Sequence, residues 1–269
     1  YYRGRLLIIE NKSIRLELNC RKGLAIHKFY QYDFHEQWIY GTVEQGALGD
    51  SKFSADFFSG NLTFDKPFLE RITDLQSVRP TLFTVEGNSH YLFLKITINT
   101  PQGSITKWLQ FNYVSGELRI YWDISQLKLS LCVLRFGFVT LNHECFANLP
   151  LLLTAHNGGL NADQFDIGDF DFDHGAAVNY KTTCNNALGM TENALTLGYK
   201  DFYIRLTKHP CEANVLGMGL FRQTNKGYLC RTWLSAREID DTAKYDTDTK
   251  LPNVQLLSCQ IEVVGKHNR

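Results

Sequence analysis

Two histidines are the first candidates for chemistry in this sequence. His156 follows a run of apolar and small residues typical of a strand, and it precedes Asn157, Gly158 and Gly159. A histidine at a strand end beside flexible glycines is well placed to meet a ligand and to exchange a proton near neutral pH. His90 begins another strand-forming segment. No recognisable spacing pairs either histidine with a carboxylate, so both are alternative catalytic acids, and the simpler interpretation is a hydrogen-bonded residue without a catalytic task.

A second candidate lies in residues 46–61, whose apolar positions follow neither the helical nor the strand period. This segment contains three glycines and two isolated carboxylates, Asp50 and Asp56, beside the aromatic pair Phe57 and Phe58. Glycines allow a positive φ and the close approach of a second group, and sites are often built on irregular loops. We therefore predict that Asp50 and Asp56 contact a ligand. The alternative is a connection between two sheets, with its phenylalanines packed into a sandwich edge.

The tryptophans indicate what that ligand is, because a flat aromatic face suits the apolar face of a pyranose ring. They are Trp38, Trp108, Trp122 and Trp233. Trp108 points away from the apolar residues of its own alternating strand. The predicted carbohydrate-binding residues are therefore Asp50, Asp56, Trp108 and His156. Tryptophans in β-sandwiches more often belong to the core, and this alternative applies to all four.

Other kinds of site have weaker support in the sequence. The acidic run 163–174 alternates carboxylates with aromatic residues, which favours a strand with one solvated face over a calcium loop. The chain has no zinc-peptidase, nucleophile-elbow, phosphate-loop or dinucleotide motif. A glycosidase needs two carboxylates about 5–10 Å apart, and the sequence alone pairs none. We predict neither a metal nor a cofactor.

Composition limits the partners and the compartment. Lysine plus arginine equals aspartate plus glutamate, 28 of each, which argues against a nucleic-acid or anionic-membrane surface. The sequence has no apolar run of about 18 residues that could span a membrane. The seven cysteines are scattered, with no Cys-x-x-Cys pair, and we interpret them as reduced thiols of a cytoplasmic protein. Because the chain begins at Tyr1 without methionine, we expect a piece excised from a longer polypeptide.

Strand patterns dominate the remaining residues. Ile14, Leu16 and Leu18 alternate with polar residues, and residues 90–123 read as three long strands joined by tight turns. A further strand is predicted over residues 37–43. In total the pattern predicts about eighteen short strands and little helix. We therefore predict an all-β fold, a large antiparallel β-sandwich in which residues 1–269 form a single domain.

Two stretches carry a resemblance to known proteins. Residues 7–16, with Gly23 and residues 26–29, resemble the start of galactose mutarotase-like β-sandwich domains. Residues 54–61 and 71–75 resemble the non-catalytic C-terminal domains of some bacterial glycoside hydrolase family 57 enzymes. The resemblance implies a supersandwich in which one sheet offers a concave face to sugars. Aldose epimerases of this fold use a histidine acid and a glutamate base, but their histidine motif is only partly echoed at His156.

Three hypotheses follow. The leading one is a non-catalytic, carbohydrate-associated accessory domain of an α-glucan-acting glycoside hydrolase, packed against the catalytic barrel domain of the parent enzyme. The enzyme alternative is an aldose 1-epimerase-like mutarotase, with His156 as the acid and an unidentified carboxylate as the base. The third is a scaffold or dimerisation module without a sugar ligand.

Overall fold

The computed structural model describes the chain in eleven segments. They are residues 1–43, 58–65, 71–83, 90–128, 132–147, 150–167, 172–173, 187–210, 215–224, 227–238 and 255–265. Within these segments the chain forms twenty β-strands and no helix. The predicted all-β class with little helix is confirmed. None of the described residues forms a helix that is long and apolar enough to span a membrane.

The strands follow one another in chain order. The first ten are β1 (Tyr2–Arg3), β2 (Leu6–Glu10), β3 (Ile14–Asn19), β4 (Ala25–Gln31), β5 (Tyr40–Gly41), β6 (Leu62–Asp65), β7 (Ile72–Thr73), β8 (Thr81–Phe83), β9 (Tyr91–Thr100) and β10 (Gly103–Asn112). The others are β11 (Leu118–Asp123), β12 (Val133–Leu141), β13 (Leu152–Ala155), β14 (Asp163–Asp166), β15 (Phe172–Asp173), β16 (Ala194–Tyr199), β17 (Phe202–Lys208), β18 (Leu216–Thr224), β19 (Gly227–Arg237) and β20 (Leu256–Gly265).

These strands form two antiparallel sheets. The eleven-stranded sheet has the order β1-β2-β3-β4-β5-β12-β19-β18-β15, with β6 paired to both β12 and β7. The nine-stranded sheet has the order β14-β13-β16-β17-β20-β11-β10-β9-β8. The predicted strand through Ile14, Leu16 and Leu18 and the three long strands β9, β10 and β11 are therefore confirmed. The strand predicted over residues 37–43 is wrong in length, because only β5 pairs there, with β4 and β12.

The main hydrophobic core contains inward-facing residues from both sheets. Alternate residues of β3 and β10, such as Leu16, Leu18 and Leu109, are completely buried in it. Successive side chains of a strand point to opposite faces, so the other residues of these strands face away from the core. Lys107 is the exception, since it belongs to the inward-facing set of β10 and is completely buried.

The described cysteines fit the expectation of reduced thiols. Cys20, Cys145 and Cys230 are free of disulfides. Burial raises the pKa of the Cys145 thiol to about 12 and also raises the pKa of Cys230, which keeps both thiols protonated at neutral pH. Cys184 and Cys211 lie outside the described residues.

Candidate functional site

A second apolar cluster lies on the face of the eleven-stranded sheet that points away from the core. It consists of Phe138, Met218, Leu220, Leu229 and Trp233, which we call the Trp233 patch. Along β19 the patch residues alternate with Cys230 and Leu234, which belong to the main core. All five members of the patch are buried.

A β-bulge in β12 places Phe138 in this patch. Phe136 pairs with Leu234 and Val139 pairs with Thr232, so two residues of β12 stand opposite one residue of β19. Gly137 takes the extra position at φ +64°, where a side chain would approach the sulfur of Cys259. Bulges of this kind redirect side chains and are frequent beside binding and active sites.

Aromatic stacking and two arginines shape the patch. The rings of Phe138 and Trp233 stack with centroids 5.7 Å apart and an interplanar angle of 27°. The guanidinium carbon of Arg231 lies 4.2 Å from the centroid of Phe138, and Arg231 Nη2 donates to the carbonyl oxygen of Phe58 at 2.7 Å. The guanidinium of Arg135 lies 5.8 Å from the Trp233 ring. Cations over aromatic faces hold these side chains in place.

Three buried polar side chains beside this stack have unused hydrogen-bonding atoms. They are the indole Nε1 of Trp233, the hydroxyl of Thr140 and both amide atoms of Asn61, none of which has a hydrogen-bond partner among the described residues. Trp233 is 3% exposed, and Thr140 and Asn61 are 0% exposed. Burying such groups without partners costs about 1–3 kcal/mol each. Buried polar groups are normally satisfied, so these unpartnered atoms call for an explanation such as a bound water or a ligand.

Backbone contacts bring these residues together from distant parts of the chain. The amide of Thr140 donates to Ser59 Oγ at 3.1 Å, and the amide of Gly60 donates to the carbonyl of Phe138 at 2.7 Å. The amide of Gly137 donates to the carbonyl of Asn61 at 3.1 Å. The segment 59–61 therefore lies beside the β12 bulge, next to the Phe138–Trp233 stack. An amide, a hydroxyl and an indole N–H beside aromatic rings match the mixed polar and apolar surface of a sugar.

Two carboxylates, one on β3 and one directly after β19, form ion pairs with arginines. Arg135 makes two bonds to the carboxylate of Glu238, at 2.7 and 2.6 Å, and Ser235 Oγ donates to the same carboxylate at 2.5 Å. On β3, Glu17 is held by Arg15 at 2.6 Å. Both carboxylates bind a guanidinium group, and the second oxygen of Glu17 also lies 3.9 Å from His27 Nε2. No group of three or more potential metal ligands occurs within the described segments.

The predicted ligand-contacting residues fall in different places. Asp50 and Asp56 lie outside the described residues, and the loop 46–61 is described only from Phe58 onward. Trp108 lies on the outward face of β10 in the nine-stranded sheet, half-buried, with Lys95 Nζ 5.6 Å from its ring centroid. His156 follows β13 of the same sheet, five strand positions from β10. At a strand spacing of about 4.8 Å this separates the two strands by roughly 24 Å, so the sheet does not bring Trp108 and His156 together.

His156 does have polar neighbours that its sequence context did not reveal. Its Nδ1 lies 2.6 Å from Thr191 Oγ1, and its Nε2 lies 3.8 Å from a carboxylate oxygen of Glu192. Sequence spacing did not identify this carboxylate, because only the pairing of β13 with β16 brings the turn that precedes β16 alongside His156. The Thr191 hydroxyl also donates to the carbonyl of His156 at 2.8 Å. The amide of Gly158 donates to Thr191 Oγ1 at 3.0 Å and to His156 Nδ1 at 3.3 Å, so the turn after His156 also contacts this pair.

The other histidine has a simpler environment. His90 is exposed at the beginning of β9, and its ring meets that of Tyr113 edge to face at 6.5 Å. Its carbonyl accepts a hydrogen bond from the amide of Tyr113 at 3.1 Å. No carboxylate contact of His90 is found within the described segments.

Sequence reasoning missed the residues that the eleven-stranded sheet assembles. Trp233 was one of four equivalent tryptophans, and Asn61 was only the last residue of an irregular loop. Phe138, Thr140 and Arg231 carried no signal, because their common site depends on a bulge and on pairing between distant strands. The one available sign was the glycine at position 137 within an otherwise apolar strand, which is typical of a bulge.

Comparison with known proteins establishes the fold. The sequence matches no protein-family model, and no curated protein matches it. Among solved structures, α-N-acetylgalactosaminidase NagBb from Bifidobacterium bifidum is similar, with a TM-score of 0.56 and 7% identity. The match covers 97% of this chain and 36% of that chain. This chain therefore spans little more than a third of that enzyme.

Two further solved structures match over their whole length. A galactose mutarotase-like protein from Lactobacillus casei has a TM-score of 0.54 and 11% identity, covering 96% of this chain and 99% of that chain. The Slr1438 protein from Synechocystis has a TM-score of 0.50 and 12% identity, covering 98% of this chain and 97% of that chain. At these identities the likeness concerns the fold, which is that of a galactose mutarotase-like β-sandwich. The closer resemblance to family 57 domains stays a prediction.

Proposed function

We propose that this chain is a carbohydrate-associated accessory domain that binds a sugar without transforming it, within an α-glucan-acting glycoside hydrolase. The observation that carries the proposal is the set of unpartnered groups on Asn61, Thr140 and Trp233 beside the stacked Phe138. Sugars are recognised by aromatic faces together with a few placed polar groups, and this combination is buried on one sheet face.

The fold comparison supports a place within a larger enzyme. A β-sandwich of this fold makes up 36% of an enzyme named α-N-acetylgalactosaminidase, which acts on a glycoside. The same fold also makes up nearly the whole length of a galactose mutarotase-like protein. The fold alone therefore does not imply a larger enzyme, and the parent enzyme with its catalytic barrel domain is part of the proposal. The α-glucan class rests on the resemblance of residues 54–61 and 71–75 to the family 57 accessory domains.

The state of the carboxylates favours binding over catalysis. General acid–base catalysis contributes about 10²–10⁴-fold only when a suitable acid and base both reach the reacting atoms. Glu238 and Glu17 are each bound to an arginine instead, and Glu238 also accepts from Ser235. We therefore expect the isolated chain to bind sugars and to leave them unchanged.

Sugar titration tests the proposal. Glucose, galactose, N-acetylgalactosamine and maltooligosaccharides are titrated to millimolar concentration, with calorimetry as the readout. We expect binding of at least one sugar and a loss of about tenfold in affinity for Trp233→Phe, because that variant keeps a ring and removes the indole N–H. Trp108→Phe makes the same change on the nine-stranded sheet and tests the sugar contact predicted there separately. Absence of binding, or a loss in Trp108→Phe alone, contradicts the proposed site.

A second candidate function is favoured by one observation, the carboxylate of Glu192 3.8 Å from His156 Nε2. This pair supplies the acid and base that an aldose mutarotase requires. Polarimetry of fresh α-D-glucose decides between the functions. The accessory-domain proposal predicts the rate of the buffer blank. A faster rate that disappears in His156→Ala and in Glu192→Gln, and persists in His90→Ala, would establish the epimerase instead.

A further inference from the structure

The inward side of the candidate site contains a completely buried ion pair. Lys107 Nζ donates to Asp74 Oδ2 at 2.9 Å, to the carbonyl of Gly60 at 2.7 Å and to the carbonyl of Gly23 at 2.9 Å. The side chains of Lys107 and Asp74 are both 0% exposed. An ammonium has three hydrogens, and all three are used.

Both carboxylate oxygens of Asp74 likewise accept hydrogen bonds. Its Oδ2 also accepts from the indole Nε1 of Trp122 at 2.8 Å, and its Oδ1 accepts from the amide of Leu62 at 2.9 Å. Lys107 and Trp122 belong to strands β10 and β11 of the nine-stranded sheet, whereas Asp74 and Leu62 belong to the eleven-stranded sheet or its turns. The pair therefore connects the two sheets through the core.

Two of these bonds flank Asn61 in the chain. Lys107 holds the carbonyl of Gly60, the residue before it, and Asp74 holds the amide of Leu62, the residue after it. From β12, the amide of Gly137 holds the carbonyl of Asn61 itself. The backbone of Asn61 is thus fixed on both sides in sequence, while its side-chain amide has no partner within the described part of the chain.

We propose that Lys107 and Asp74 are positioning residues, which set the location of the Asn61 amide in the candidate sugar site. The proposal rests on the proposed function for the identity of the ligand. Its alternative is that the pair only stabilises the packing of the two sheets. The two roles are separable, because a buried ion pair can often be replaced as a whole by apolar residues without loss of stability.

The decisive variant is Lys107→Met with Asp74→Leu, which removes both charges together. The matched control is Arg205→Met with Glu262→Leu, which removes a 2.6 Å ion pair from the outward face of the nine-stranded sheet. Urea unfolding reports stability, and sugar titration reports affinity. We expect both double variants to keep a urea midpoint near that of the wild type. Sugar affinity should fall about tenfold only in the Lys107/Asp74 variant, and an unchanged affinity there overturns the proposal.

A readout without sugar keeps this inference separate from the proposed function. The side-chain amide resonances of Asn61 are followed by NMR in the ligand-free proteins. They should shift in the Lys107/Asp74 variant and stay in place in the Arg205/Glu262 variant. If the Lys107/Asp74 variant does not fold, Trp122→Phe takes its place, since it removes one donor to Asp74 and should shift the same resonances. Resonances that stay at the wild-type position in the folded variant overturn the positioning role, whether or not the wild type binds sugar.

Discussion

The segment 59–62 separates two buried polar clusters whose hydrogen bonding is opposite in character. On the core side, Lys107 and Asp74 have every donor hydrogen and both carboxylate oxygens engaged. On the outward side of the sheet, Thr140 and Trp233 have polar atoms without partners among the described residues, although these two side chains are buried like those of Lys107 and Asp74. Each cluster is hydrogen-bonded to this segment, since Lys107 donates to the carbonyl of Gly60 and the amide of Thr140 donates to Ser59 Oγ.

The difference distinguishes a structural role from a binding role. A fully satisfied buried network needs nothing further and rigidifies the fold around it. An unsatisfied one carries a desolvation cost in the free protein, and this cost is recovered when a ligand with matching groups arrives. A single substitution in the first cluster leaves its buried partner unpaired and should therefore change stability, whereas substitutions in the second cluster should act mainly on binding.

The largest expected effect is at Gly23, whose carbonyl accepts from Lys107. This residue has φ +59°, and a Cβ there would lie 1.8 Å from the carbonyl oxygen of Asp74. We expect Gly23→Ala to prevent folding, as seen by circular dichroism and soluble yield. Gly4 has the same φ with nothing within 4 Å of a Cβ, so Gly4→Ala should lose only about 1–2 kcal/mol. Equal behaviour of the two variants would show that the clash beside Asp74 is unimportant.

Removal of one charge from the satisfied cluster comes next. Lys107→Met leaves the carboxylate of Asp74 buried without its counter-ion, and we expect a loss of about 3–5 kcal/mol in the free energy of unfolding, measured with urea. Arg205→Met breaks a partly exposed pair and should lose less than about 1 kcal/mol. If Lys107→Met also lost less than about 1 kcal/mol, the cluster would not be structural.

The two buried tryptophans allow a direct comparison of the clusters. The indole N–H of Trp122 bonds to Asp74, whereas that of Trp233 has no described partner. Both Trp→Phe substitutions shrink a buried ring, so the loss of packing is similar in the two variants. We expect Trp122→Phe to lose about 1–3 kcal/mol more than Trp233→Phe, because only the former breaks a hydrogen bond. Equal losses in urea unfolding would contradict the distinction.

The smallest effect is expected for two buried threonines. The hydroxyl of Thr140 has no partner among the described residues, whereas that of Thr232 donates to the carbonyl of Met218 at 2.7 Å. Valine has the same shape without the hydroxyl, so Thr140→Val should gain about 1 kcal/mol and Thr232→Val should lose about 1 kcal/mol. Urea midpoints that move in the same direction would count against an unsatisfied site at Thr140.

Much of the fold could be predicted from the sequence because strand periodicity is local. The alternation of Ile14, Leu16 and Leu18 and the turn residues between β9, β10 and β11 appear in neighbouring positions, and all of these strands are present. The strand predicted around Trp38 is short, because only Tyr40 and Gly41 pair in register with β4 and β12, although the amides of Ile39 and Thr42 also donate to carbonyls of β4. Apolar character alone did not reveal where that pairing stops.

The candidate site was hardly predictable. Trp108 was placed correctly on an outward face, and its role in binding stays a prediction. Glu192 was not connected with His156, since only pairing of β13 with β16 brings them together. Lys107 lies among the apolar residues of its strand, but nothing nearby in the sequence indicated that Asp74 forms an ion pair with it.

The sequence by itself determined the class of fold, because the pattern of apolar residues at a period of two is written in adjacent positions. It also determined which residues share a face in a regular strand such as β10. Only the tertiary structure decided which face meets the other sheet and which buried polar groups obtain partners. The reason is physical: a hydrogen bond depends on the distance between two atoms, and the bulge at Gly137 and the contacts of segment 59–61 join atoms from parts of the chain that are far apart in sequence.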